Sequence, residues 1–132
     1  KLLRDKLVLE QWIQILWSDE LKARSKDADT SKLDTFLKNS KINKNIPSIL
    51  LVHEPVWMNV SEKYSIDLQL AGHTHNWQIW PFSYIVKNVF DYNYWLYSIG
   101  DMKFYITSWT GLWWPPFRLW TRNEIVLINM YN

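Results

Sequence analysis

Three glycines and ten tryptophans in 132 residues set the first limit on how this chain can fold. Average glycine usage near 7% would supply about nine. Only glycine takes positive φ without a steric penalty, so tight turns here must be built from other residues. Several tryptophans fall where turn punctuation is expected. Trp77 follows His75-Asn76, Trp109 precedes Thr110-Gly111, and Trp114 precedes Pro115-Pro116. Cysteine is absent, which excludes disulfides and thiolate metal sites. A formal net charge of +2 is too mild to indicate nucleic-acid binding. No apolar run approaches the roughly 18–20 residues of a membrane span, and no basic-then-apolar signal leads the chain. The first residue is Lys1, as expected of a trimmed start or a piece of a longer protein.

Charge divides the chain. Residues 1–46 hold ten of the fifteen Lys/Arg, and the remainder is apolar and aromatic. Leu7-Val8-Leu9 and Ile13 to Leu16 read as two short strands joined tightly at Glu10-Gln11-Trp12. Lys22 to Lys32 reads as a polar loop, and the charges from Lys22 to Lys44 as a solvated face. Asp29, Thr30 or Ser31 would cap a short helix with apolar positions Leu33, Phe36 and Leu37. Pro47 opens the apolar run Ser48 to Val52, the pattern of a strand covered on both faces. Ile66 to Leu70 alternates as a second such strand would. Gln78-Ile79-Trp80 suggests a short strand running into a helix over Pro81 to Phe90. Trp95 to Ile99, Lys103 to Thr107 and Glu124 to Asn129 read as strands. No repeat or low-complexity tract appears, so the expectation is one α/β domain.

All three histidines follow predicted strands. His53 comes directly after Ile49–Val52, and His73 and His75 sit in Ala71-Gly72-His73-Thr74-His75-Asn76. Open α/β sheets place their ligand sites at such strand ends. Neutral imidazole is the commonest metal ligand. In an extended segment His73 and His75 project to the same side, and Gly72 would let the backbone turn just before them. Three scattered loop histidines would rarely show this placement, so a metal site is the reading preferred.

Leu50-Leu51-Val52-His53-Glu54-Pro55, Asp67 to His75, and Gln78-Ile79-Trp80-Pro81-Phe82 together resemble the C-terminal half of calcineurin-like metallophosphoesterases. Pro115 to Leu119 and Thr121 to Ile128 resemble the end of that domain. The resemblance implies an α/β/β/α sandwich, two β-sheets flanked by helices, of which residues 1–132 would be the C-terminal portion and the N-terminal half would be missing. It further implies two divalent metals, with His53 and His73 on one and His75 on the other. Nitrogen and carboxylate ligands suit manganese, iron or zinc. Two such ions lower the pKa of a bridging water and stabilise an in-line displacement at phosphorus. The implied substrate is a phosphoester. The closing segment resembles a bacterial branch often carrying an N-terminal membrane segment or signal, with lipid-linked phosphoesters as substrates. Membrane association would come only through a segment upstream of Lys1.

The family's earlier motifs, Asp-x-His, Gly-Asp-x-x-Asp and Gly-Asn-His-Asp/Glu, are absent. All three histidines are taken by the later motifs, so the catalytic residues are not assignable here, and the isolated chain is expected to be inactive. Half a sandwich would also leave the run Ile49–Val52 beside an unpaired sheet edge, with aggregation the expected result. Among smaller features, Arg118 could grip a phosphate with its fork or pair with a carboxylate on the surface. Asn76 could reach a substrate oxygen or simply form the turn. Glu54 reads as a partner of His53 or a solvent-facing loop residue.

Against the family pattern, Trp12, Trp17, Trp57, Trp77, Trp95, Trp109, Trp114 and Trp120 stand at glycine positions, while Trp80 and Trp113 stand where aromatics are natural. Glycine at those eight sites would bring both counts close to ordinary usage. The reading is a gene whose UGA codons mean glycine, translated as though they meant tryptophan. Two alternatives stay open. One is a Trp-rich β-domain that stacks aromatics on sugars or other ring ligands, which requires tryptophans recurring on one strand face. The other is a degenerate, non-catalytic phosphoesterase remnant.

Overall fold

Alternating apolar residues build a single six-stranded mixed sheet with helices on one face. The computed structural model describes residues 5–18, 30–76, 79, 91–112, 116–119 and 121–131. Strand β1 (Lys6–Glu10) turns through Gln11-Trp12 into antiparallel β2 (Ile13–Trp17). Helix α1 (Ser31–Asn39) leads to β3 (Ser48–Leu51), and α2 (Met58–Lys63) to β4 (Leu68–Ala71). Strands β5 (Trp95–Ile99) and β6 (Met102–Ile106) form a hairpin at the far side. The strand order is β1-β2-β3-β4-β6-β5, with β2, β3, β4 and β6 parallel. The α/β expectation holds. The described residues contain one sheet.

One face carries the core. The registered row Leu16, Leu50, Gln69 and Phe104 is fully buried. Leu33 and Leu37, four residues apart on α1, pack onto it with Met58 and Ile66. Burying Phe104 completely stabilises the fold by about 1.5–3 kcal/mol over leaving it exposed.

Several expectations need correction. Helix α1 starts at Ser31 after N-cap Thr30 and buries Leu33 and Leu37, as its pattern predicts; what changes is that Ser31 and Lys32 are helical and not loop, and that Thr30 makes no side-chain capping bond. Strand β3 is buried on one face only, with Ile49 and Leu51 half-exposed on the other. It is not at an edge: β2 and β4 flank it, and the free edges belong to β1 and β5. Helix α2 was not foreseen, being six residues long and entered through Trp57 in the left-handed region. Glu124 to Asn129 forms no strand, because no described strand lies beside it to pair with. Ile79 makes only an isolated bridge to Leu119. The helix expected over 81–90 lies outside the described residues, as do Trp77, Trp114 and Trp120. No helix among the described residues is long and apolar enough to cross a membrane.

Candidate metal centre

Parallel strands end at one side of a sheet, and here that side gathers the histidines. The ladder continues past the ends of β3, β4 and β6 through Val52 N to the Leu70 carbonyl (3.0 Å), Gly72 N to the His53 carbonyl (3.1 Å) and Thr107 N to the Ala71 carbonyl (2.9 Å). These bonds bring the His53, His73 and Trp109 backbones into adjacent loops. His53 Nε2 and His73 Nδ1 lie 2.9 Å apart, their rings meeting edge to face at 4.7 Å between centroids. One nitrogen donates and the other accepts.

Glu54 is buried, at 6% exposure, and its Oε1 lies 3.9 Å from His73 Nε2. The solvent-facing reading of Glu54 is therefore overturned. Pro55 and Val56, which follow it, are buried as well, and the carboxylate faces the second nitrogen of His73. Burial, reinforced by the charges of His53 and His75, holds His73 below the usual imidazole pKa. Burial, then Arg118 and His53, does the same for His75. Both rings are thus kept in the neutral form that binds metals.

His73 and His75 do not lie on an extended strand. Their φ values are 67° and 52°, and Asn76 follows at 46°. The left-handed turn falls on His73 and not on Gly72, whose added Cβ would meet only ordinary contacts near 3.7–3.9 Å. This coiling separates the two rings. His73 turns to His53, while His75 packs on the indole of Trp109 at 5.1 Å between centroids. Trp109 also touches the His53 ring at 5.7 Å. Asn76 N points back to Thr74 Oγ1 at 3.4 Å, and buried Thr74 donates to the Asn93 carbonyl at 2.7 Å.

Arg118 belongs to this loop cluster. Its Nη1 donates to the His75 carbonyl (3.0 Å), and its Nη2 to the carbonyls of Ser108 (2.8 Å), Gly111 (2.9 Å) and Trp109 (3.2 Å). The guanidinium thus ties the His75 loop to the loop after β6. Behind it, Glu124 accepts from Tyr105 Oη (2.6 Å), Tyr94 Oη (2.8 Å) and Ser108 Oγ (3.4 Å). Nothing in residue type or spacing announced that carboxylate; only its place in the closing segment did.

Among the described residues no group of three or more His, Asp or Glu side chains gathers at metal-holding distance. A partial fit remains. A tetrahedral ion with metal–nitrogen bonds of about 2.0–2.1 Å separates two ligand nitrogens by about 3.3 Å, within a few tenths of the His53–His73 spacing. His75 Nδ1 is buried and has no hydrogen-bond partner among the described residues, so a ligand there would satisfy it.

The histidines gather at the strand ends of an α/β sheet, and comparison with known proteins gives the class. The chain is 38% identical over 90 residues to an uncharacterized metallophosphoesterase of Campylobacter jejuni, covering 67% of this chain and 24% of that protein. It is 37% identical over 110 residues to one from Helicobacter pylori, covering 82% and 29%. A transmembrane protein with metallophosphoesterase domain from Danio rerio is 29% identical over 122 residues, covering 90% and 28%. This chain belongs to the metallophosphoesterase family. It spans 24–29% of the length of these curated relatives. No protein-family model and no solved structure matches it.

Proposed function

We propose that this chain is the histidine-bearing, C-terminal part of a two-metal phosphoester hydrolase, with the remaining ligands on the part of the domain that lies outside it. The observation that carries the proposal is the 2.9 Å pairing of His53 Nε2 with His73 Nδ1 at the ends of parallel strands β3 and β4. When bound, two divalent ions such as manganese, iron or zinc would supply a hydroxide nucleophile and balance charge on the phosphoryl oxygens. His53 and His73 hold one ion and His75 the other. Glu54 orients His73 from behind, as carboxylates commonly do for ligating histidines. Arg118, its Nη atoms engaged by carbonyls, holds the His75 loop, which leaves less of its fork for a phosphate. Asn76 stands next to the centre, where it would meet a substrate oxygen.

The aromatic-binding alternative finds less support. Trp17 shares a registered row with Leu51, Leu70 and Tyr105, whereas Trp95 pairs with Ile106 on the opposite, core side. Among the described residues, exposed tryptophans therefore do not recur on one sheet face.

The test uses the full-length protein, with metal content measured alongside hydrolysis of a nitrophenyl phosphodiester in manganese. Two ions per chain and turnover are expected, with His73→Ala losing metal and rate together. A protein that binds no divalent ion and turns over no phosphoester sinks the proposal and favours the remnant.

A further inference from the structure

The geometry points to glycine, not tryptophan, at positions 57, 95 and 109 of the protein that the cell makes. Of the five described tryptophans, three have positive φ: Trp57 at 61°, Trp95 at 89° and Trp109 at 68°. A bulky aromatic in that region is a genuine outlier, because its Cβ crowds the backbone carbonyl. The other non-glycine residues with positive φ are Asp5, Gln11, Lys41, Ser65, His73, His75 and Asn76, all polar. No other large apolar residue joins them. The composition says the same independently, with three glycines and ten tryptophans in the whole chain.

Each position also has a glycine's job. Residue 57 enters α2 with φ 61° and ψ 30° and makes no side-chain cap. Residue 95 opens β5 directly after the Tyr94 ring, with its own indole 59% exposed. At residue 109 the hydrogen bonds among the described residues are made by the backbone: its N–H donates to Thr107 Oγ1 at 3.0 Å, and its carbonyl accepts from Arg118 and from Glu124 N. Glycine would keep all of these bonds. It would also remove the indole that presses on His53 and His75, freeing the space where an ion and a phosphoester would sit. That consequence rests on the metal-site reading; the residue identity does not. The physical source is the codon UGA, which one genetic code reads as glycine and another as tryptophan.

Trypsin separates the three positions cleanly, in peptides 45–63, 88–103 and 104–118. Tandem mass spectrometry of the protein purified from cells that carry the gene should find glycine at 57, 95 and 109. Peptide 104–118 carries its own control, since Trp113 should remain tryptophan. In the gene, UGA is expected at 57, 95 and 109 and UGG at 80 and 113. Tryptophan in the native peptides, or UGG at 57, 95 and 109, overturns the inference. A third readout is stability: the full-length protein carrying Trp57→Gly, Trp95→Gly and Trp109→Gly should melt at a higher temperature than the tryptophan form, and a lower one counts against glycine. Glycine in the peptides of a protein that binds no metal would uphold this inference and sink the metal site alone.

Discussion

His75 is positioned through its backbone as much as through its ring. Its carbonyl is gripped by Arg118, whose other nitrogen reaches three carbonyls of the loop after β6. A lysine offers a single ammonium on a flexible stem and cannot span both loops. Both Arg118→Ala and Arg118→Lys should therefore weaken metal binding by about 10–100-fold, the range seen when groups supporting metal ligands are lost. Isothermal titration of the full-length protein with zinc or manganese reads this directly. Glu124 sits one layer back. Burial pushes its carboxyl up, but hydrogen bonds from Tyr105 and Tyr94, with Thr107 and Ser108, outweigh burial and hold it below the usual value. A carboxyl depressed on folding adds stability that is complete above its unfolded pKa, about 4.3, and fades as pH falls through the lower folded value. Urea midpoints should accordingly hold steady above about pH 5 and fall as the pH is lowered further, and Glu124→Gln should flatten that acid limb.

At the scale of elements, much of the sheet is legible in sequence because alternation and apolar runs report burial directly. β1, β2, β3, β5 and β6 fall within a residue or two of the strands that their patterns predict, and β4 is shifted toward Ala71. Helix α2 is not legible, since six residues make too short a window for a periodic signal. The strand ends locate His53, His73 and His75, but the turn that parts His73 from His75 depends on left-handed backbone at non-glycine residues, which no local pattern foretells. Gln14 shows a second kind of hidden information. It is a buried polar residue on β2 whose Nε2 donates to the carbonyls of Asn43 (2.8 Å) and Ile46 (2.9 Å), and whose Oε1 accepts from Asn43 N (2.9 Å). The side chain thus docks the α1–β3 connection against the sheet. Gln14→Leu keeps similar bulk but strands those groups, at a cost of about 1–3 kcal/mol. The readout is a lower urea midpoint, with little change in metal affinity because the connection lies at the opposite ends of the strands from the histidines.

At the scale of the whole sheet, the decisive fact is that, among the described residues, helices cover one face and not the other. The other presents Ile15, Ile49, Leu68 and Leu70, all half-buried, beneath the run 124–131. That run has no regular structure, and Ile125, Leu127 and Tyr131 are 90%, 83% and 89% exposed. Between it and the sheet lies an apolar groove of about 410 Å³, lined by Ile49, Leu68, Leu96, Tyr105, Val126 and Ile128 among others. The sheet edges differ in their protection. β1 carries Lys6 and Glu10, whereas β5 (Trp95–Ile99) has no charged residue and leaves Trp95 and Leu96 at least half exposed. An uncharged edge beside an exposed apolar face is the arrangement that promotes association. Residues 1–132 expressed alone should therefore elute from a sizing column at an apparent mass that rises with concentration. Leu96→Lys combined with Ile125→Lys places a charge on the edge and another on the run above it, and should shift the chain toward monomer. A single monomeric peak for the unsubstituted chain at every concentration would mean that the 124–131 run shields the face far better than its exposure implies.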